Sequence, residues 1–401
     1  MNITGIITEY NPFHNGHLYH LTEAKKATSS DGVICIMSGN FVQRGGPAII
    51  DKWKRTEMAL ENGVDLVLEL PTFYAVSSAE IFAKGAISIL NSLKIVDSLY
   101  FGSECGDVDI LYKIAKILTT NNDSFTSILK SNLKEGISFA KAREKSLISF
   151  SKDDSIKEVI SSSNNILGIE YIKALILEQS NIKPYTLKRE GSQYNDTALD
   201  SVFSSATSIR KALLDNINSL DNLKNVMPSA SLKILKDSLN DGYMFSFDEY
   251  LYKYLRYKIS TNCVNFNNLY EISEGLDKKI LKEIIDSTSY NDLILRIKSK
   301  RYTYTKISRL LTQIFIGFDN FNIDKNTISQ YNYGRILGFN SKGREILSLI
   351  KKTSSIPLIT KVPKHPNNPL LELDILSTKA YSILNPSLNP SSDYLKGPII
   401  K

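Results

Sequence analysis

Three of the four histidines in this 401-residue chain, His14, His17 and His20, fall in one short stretch, EYNPFHNGHLYHL. The apolar, β-branched run ITGIIT precedes it, and HLYHLTEAKKA, which follows, reads as a helix. A strand therefore ends at Thr8, a turn with Pro12 and Gly16 follows, and a helix begins near His17. A helix N-terminus after a strand presents free backbone N–H groups and the positive end of the helix dipole, a natural seat for phosphate. His14 and His17 straddle that point and add ring N–H donors, while Gly16 lets a ligand approach the backbone closely. Such a donor set stabilises charge that builds on a phosphate during displacement. Two plainer readings stand beside this one. His-x-x-His is a metal-ligand spacing, but no carboxylate or cysteine joins the pair at an expected distance, so no metal site is assigned. The histidines can also be packing residues of a turn, and His20, one turn into the helix, fits that description.

The elements that position this turn follow in regular alternation. GVICIMSG (32–39), VDLVLELP (64–71) and VDSLYFGSE (96–104) read as further strands. Between them lie DKWKRTEMALENG, with Asp51 as N-cap, and the amphipathic SSAEIFAKGAISILNSLK. Short continuous apolar strands alternating with helices predict an α/β fold, a doubly wound Rossmann-like parallel sheet covered on both faces. Ligands of such sheets bind beyond the carboxyl ends of the strands. One rim thus gathers residues 9–17, 38–45, 70–76 and 101–104. IKPYTLKRE (182–190) reads as another strand, and SATSIRKALL (205–214) as a loop opening into a helix. These observations place a doubly wound α/β domain with a phosphate-seating rim at 1–215. Residues 216–401 are expected to form a mostly helical domain, with most of the twelve prolines crowded into 354–401.

Composition narrows the function classes. With 42% apolar and 23% charged residues the chain reads as globular, and no apolar run approaches the roughly 18 residues that cross a bilayer. Its start lacks a basic region followed by an apolar one, so it does not read as a signal peptide. Three cysteines without paired spacing give neither a disulfide framework nor a zinc site and fit a cytoplasmic location. A net charge of +7 permits a polyanionic partner without requiring one.

HNGH (14–17), just after the first strand, matches the H-x-G-H signature of the nucleotidyltransferase superfamily, and SSATSIRKAL (204–213) supplies its distal Ser/Thr-rich motif ending in Ile-Arg. Together with MSGNFVQRGGPAIIDKWKRTEMAL, GVDLVLELP, FGSE and NNILGIEYIKAL, the chain resembles the bacterial tRNA(Met) cytidine acetate ligase family. The motifs cover roughly residues 1–215. The resemblance implies an enzyme that uses ATP to activate acetate as acetyl-adenylate, with Mg²⁺ accompanying the triphosphate. The acetyl group then passes to N4 of the wobble cytidine of elongator tRNA(Met). It further implies an ATP-binding loop formed by Ile7, Thr8, Glu9, Tyr10, Asn11, Pro12, Phe13, His14, Asn15, Gly16, His17, Leu18, Tyr19 and His20. Within it, His14 and His17 act on the phosphates. Gly102, the pair Asn164 and Asn165 (Asn164 the first choice), and Arg189 complete the ATP contacts. Ser208 and Arg210 face the β and γ phosphates. The chain departs from the family pattern at Ser163, where proline is common, and in SQYND (192–196), where Asn195 stands in place of a histidine.

An RNA-modifying enzyme needs a surface for RNA. LRIKSKRYTYTKISRLL (295–311) holds Arg296, Lys298, Lys300, Arg301, Lys306 and Arg309 with no acid, and Tyr302 and Tyr304 interleave. Cations meet phosphates while exposed rings stack unpaired bases, so Lys300, Arg301, Tyr302 and Tyr304 are the RNA-contact candidates. A solvated basic face is the alternative. In FVQRGGPAIIDKWKR (41–55), Gln43, Arg44, Lys52 and Arg55 are candidates to hold acetate, phosphate or RNA. No stable protein partner and no membrane association are expected. Two other functions remain open, a small-molecule adenylyltransferase and a non-catalytic RNA-binding protein; the long basic helical part argues against the first, and the intact HNGH and SATSIR motifs against the second.

Overall fold

Strands rich in Ile, Val and Leu with no polar face must be covered on both sides. The computed structural model satisfies that demand; it describes residues 1–120, 122–151, 154–189, 204–217, 220–272, 275–324 and 328–401. Strands β1 (Ile3–Thr8), β2 (Gly32–Ser38), β3 (Leu66–Leu70), β4 (Ser98–Ser103) and β5 (Lys183–Lys188) lie parallel in the order β5-β4-β1-β2-β3. Every residue of β2 is buried. Its alternate side chains feed two cores: Ile34 and Ile36 join one, while Val33, Cys35 and Met37 join the other. In register, Thr8 of β1 stands beside Met37 of β2, so the loops leaving both strands emerge together.

Helix α1 (Asn15–Ala27) follows β1, starting two residues before His17. Helix α2 (Lys52–Glu61) opens on Asp51, whose carboxylate accepts from the N–H groups of Trp53 at 2.9 Å and Lys54 at 3.1 Å. Helices Ala79–Leu93 and Ser163–Leu177 pack together on one side of the sheet, and Ala206–Asp215 carries the distal motif.

The segment after residue 216 is largely helical, but it also supplies β6 (Gly334–Phe339), β7 (Leu358–Ile359) and β8 (Ile399–Ile400) to the same sheet. β6 runs antiparallel to β3, with Leu66 opposite Phe339 and a register shift between Val67 and Leu68. The boundary at 215/216 therefore separates neither two sheets nor two cores, since Leu68, Leu310 and Leu373 share one cluster. GRILGF escapes a reading by pattern because two glycines interrupt a six-residue run flanked by helical stretches. Among the described residues no helix is long and apolar enough to cross a membrane.

Candidate active site

The turn after β1 bends through Tyr10, whose φ of 47° is left-handed, a rare conformation for a bulky residue. Burial holds it there: the Tyr10 ring packs 4.6 Å from that of Phe13 and 4.9 Å from that of His17. Asn11 fixes the next step, its Oδ1 accepting from Ile49 N at 2.8 Å. His14 is the N-cap of α1. Its Nδ1 accepts from Gly16 N at 3.1 Å, and its own N–H donates to His17 Nδ1 at 3.3 Å. The two rings stand 3.8 Å apart. Gly16 leaves the His14 ring its place, because a Cβ would sit 2.9 Å from His14 Cε1.

These bonds decide what the histidines offer. An Nδ1 that accepts carries no proton, so each neutral ring holds its proton on Nε2. Burial keeps them neutral. It lowers His14 to about 3, helped by the Arg189 and Arg210 charges, and it lowers His17 well below the usual range, helped by His14, His20 and Arg189. His20 is lowered to about 4 by burial and Arg189, and its ring packs 5.2 Å from Tyr100. His14 and His17 are thus neutral Nε2–H donors held by the main chain of one helix start.

Arginines from distant segments complete the basic wall. Arg210 Nη1 donates to Asn11 O at 2.9 Å and Nη2 to Thr207 Oγ1 at 3.2 Å, which ties the distal motif to the first loop. Arg189 follows β5, where its N–H donates to Ser103 O at 2.9 Å, and its stem lies against Gly102. Gly102 is within β4. Ser208 is buried and committed to the helix start: its N–H meets Ser205 Oγ at 3.1 Å and its hydroxyl donates to Ser205 O at 2.8 Å. Asn195 lies outside the described residues.

The asparagine pair divides. Asn165 is buried; its Oδ1 accepts from Glu104 N at 2.8 Å and Cys105 N at 3.1 Å, and its Nδ2 donates to Val159 O at 2.9 Å. It clamps the loop after β4 to the helix Ser163–Leu177. Asn164, half-buried, donates from Nδ2 to Glu104 Oε1 at 2.8 Å. Glu104 also accepts from the N–H groups of both asparagines, so its carboxylate caps that helix from outside. FGSE carried this residue in the sequence, but nothing local marked it as a cap. Asn15 is likewise held from afar, by Val226 O at 3.0 Å and Asn225 O at 2.9 Å.

Several basic candidates have other work. Arg55 is fully buried and donates to the carbonyls of Glu9 (2.6 Å), Ser38 (3.0 Å), Ile50 (3.1 Å) and Gly39. It is the peg that holds the ends of β1 and β2 together, not a substrate ligand. Lys52, also fully buried, pairs with Glu69 at 2.7 Å and Asp393 at 2.9 Å, and Arg335 bridges the same two acids at 3.3 and 2.7 Å. Gln43 and Arg44 stay near the turn: Gln43 N donates to Glu9 Oε1 at 2.7 Å, and Arg44 Nη2 to Ser163 Oγ at 3.2 Å.

The basic run 295–311 spans two helices, Tyr290–Ile297 and Tyr304–Ile316, and the loop between them. Lys300, Arg301 and Tyr304 are exposed. Tyr302 is not: it is 7% exposed, part of the core, with Lys306 Nζ 5.4 Å over its ring. No face is left on it for a base, which corrects the expectation that it stacks RNA. Arg296 pairs with Asp292 at 2.9 Å, and Arg309 turns inward to Glu271.

A family match to the HIGH nucleotidyl transferases extends over residues 1–394. The tRNA(Met) cytidine acetate ligase of Clostridium novyi is 50% identical over 400 residues, covering all of this chain and 99% of its own. That of Clostridium tetani is 49% identical over 405 residues, with complete coverage of both. The crystal structure of Thermotoga maritima TmcAL bound with alpha-thio ATP superposes with a TM-score of 0.88 at 35% identity, covering 100% and 99% of the two chains. On fold, turn and full-length similarity together, this chain belongs to the HIGH nucleotidyl transferases, within the tRNA(Met) cytidine acetate ligase family.

Proposed function

We propose that the protein is an ATP-dependent ligase that activates acetate as acetyl-adenylate and acetylates N4 of the wobble cytidine of elongator tRNA(Met) in the cytoplasm. The observation that carries this reading is the convergence of two neutral Nε2–H donors, His14 and His17, with Arg189 and Arg210 at the start of α1. An acetate oxygen attacks the α-phosphorus, a P–O bond forms, and the bond to pyrophosphate breaks. Charge then grows on the phosphate oxygens, and fixed donors in a buried site stabilise it without reorganising. Neutral imidazoles suit this task because they donate without having to lose or gain a proton during the step. Asn164, Gly102 and the 7–20 loop surround the nucleotide; Ser208 acts by fixing the helix start that aims Arg210. In the second step N4 attacks the acetyl carbon, AMP leaves, and N4 gives up a proton.

Mg²⁺ would neutralise the triphosphate. Among the described residues no group of three or more His, Cys, Asp and Glu stands together as a metal site, and no protein residue is assigned to it. Lys300, Arg301 and Tyr304 present the exposed RNA-contact surface.

The test is incubation with ATP, labelled acetate and bulk tRNA, followed by nucleoside analysis. Labelled N4-acetylcytidine is expected. A small adenylylated product without labelled tRNA would favour a small-molecule adenylyltransferase, and no ATP turnover would favour a silent RNA-binding protein.

A further inference from the structure

Arg309 and Gln313 lie one turn apart on the helix Tyr304–Ile316 and so share a face. Gln313 is fully buried, and the side chains of Arg309 and Glu271 are only 11% and 9% exposed. Arg309 Nε stands 3.6 Å from Glu271 Oε1, too far for a hydrogen bond. Glu271 Oε2, Arg309 Nε and Gln313 Oε1 are all buried without a hydrogen-bond partner. Protein interiors pair nearly all such atoms, and three together in one cluster point to a ligand that pairs them.

The cluster is wired to the nucleotide turn. Tyr270 OH donates to Glu271 Oε1 at 3.3 Å and shares a hydrogen bond with Ser77 Oγ. Gln43 Nε2 donates to Ser77 O at 3.1 Å, and Gln43 N reaches Glu9 at the end of β1. Gly45, at φ 85°, brings the loop after β2 so close to Ser308 and Arg309 that any side chain there would collide with the helix main chain. Glu271 and Arg309 therefore border the loops that bracket the turn of His14 and His17.

The chemistry of the set selects its ligand. It combines an anionic acceptor, a guanidinium donor and an amide oxygen. The pairing edge of cytosine is complementary, with N4 amino donors beside the N3 and O2 acceptors; a carboxylate accepts from N4 and a guanidinium donates to the others. Uracil reverses the polarity at positions 4 and 3. A free carboxylate such as acetate would meet the charge of Glu271. We propose that Glu271, Arg309 and Gln313 read the pairing edge of the target cytosine, with Glu271 accepting from N4 and Arg309 donating to N3 and O2. The proposal rests on the tRNA-acetylating reading and names the residues that make it specific for cytidine. The base reaches them out of its stack, as bases of unpaired loops do.

Wild type, Glu271→Gln and Arg309→Lys are compared in three assays. These are acetate-dependent ATP–pyrophosphate exchange, acetyl transfer to tRNA, and competition by anticodon stem-loops carrying cytidine or uridine at the target position. Exchange is expected to stay within about twofold, while transfer kcat/KM falls by about 30-fold or more. The wild-type preference for the cytidine stem-loop, about tenfold for one well-paired base edge, is expected to fall below about threefold in Glu271→Gln. An unchanged preference, or unchanged transfer, overturns the proposal. So does a matched loss of exchange and transfer, which marks the pair as a strut of the fold. Absence of exchange in the wild type sinks adenylation itself, and the stem-loop preference still decides the cytosine site.

Discussion

Replacing Gly16 with alanine tests whether the His14 ring is a fixed instrument or a bystander. The new Cβ would stand 2.9 Å from His14 Cε1 and 3.1 Å from Nδ1, where carbon contacts settle at about 3.5–4.0 Å. The ring cannot stay in place: it is 8% exposed and lies tilted against His17, with the ring centres 3.8 Å apart. It must swing, the 3.1 Å bond from Gly16 N is lost, and nothing then pins the proton to Nε2. The fold itself is nearly indifferent. Losing a cap bond costs about 1 kcal/mol, and alanine within a helix returns about 0.5–1 kcal/mol over glycine. Removing one preorganised donor from a developing oxyanion costs about 2.7–4 kcal/mol, or a factor of about 100–1000 in rate. Gly16→Ala is therefore expected to lower acetate-dependent ATP–pyrophosphate exchange by at least about 100-fold at an unchanged urea midpoint. Exchange within fivefold of wild type in a folded variant would refute the role given to His14.

The other expectations are briefer. Asn165→Ala should destabilise the protein by about 3 kcal/mol in urea titrations, one for each of its three hydrogen bonds, whereas Asn164→Ala should leave the midpoint in place and raise the KM for ATP. Because His14, His17 and His20 are all depressed below 6.5, the unfolded chain binds protons that the fold refuses. Their contribution to stability is complete above pH 6.5 and is lost as pH falls toward 4 and then 3, so the thermal midpoint should drop over that range while exchange shows no inflexion near 6.5. Lys52→Met leaves Glu69 and Asp393 in the core with Arg335 as their shared cation and should cost about 3 kcal/mol by chemical denaturation. Arg301→Glu should weaken tRNA binding about three- to tenfold in gel shifts at low salt without altering ATP affinity.

The parallel strands and the turn between β1 and α1 were legible because their signals are local. Apolar runs of strand length, Asp51 at a helix start and HNGH after a strand need no distant partner to be understood. What pattern could not reveal depends on partners far along the chain. Lys52 and Arg55 look like surface cations until Asp393, Arg335 and the carbonyls at the ends of β1 and β2 stand beside them. Tyr302 sits in a basic, polar run, and only its place in the shared core buries it. The roles of Asn164 and Asn165 are indistinguishable as neighbouring letters; the helix start turns one inward to a clamp and leaves the other half-exposed.

The pairing of β6 with β3 also has a consequence for synthesis on the ribosome. β3 is complete at Leu70, yet the strand that covers its outer edge begins at Gly334. Until then the nascent chain carries the buried-type sequence LVLEL with one row of main-chain donors and acceptors open, the kind of edge that recruits strands from other chains. Glu69, at the end of that strand, meanwhile waits for Arg335 and Asp393. The early placement of the turn after β1 therefore does not complete the sheet. The edge beyond β3, on the side away from β1 and β4, is finished by residues translated late, and a cell making this protein must shield that edge for most of the time the chain is being made.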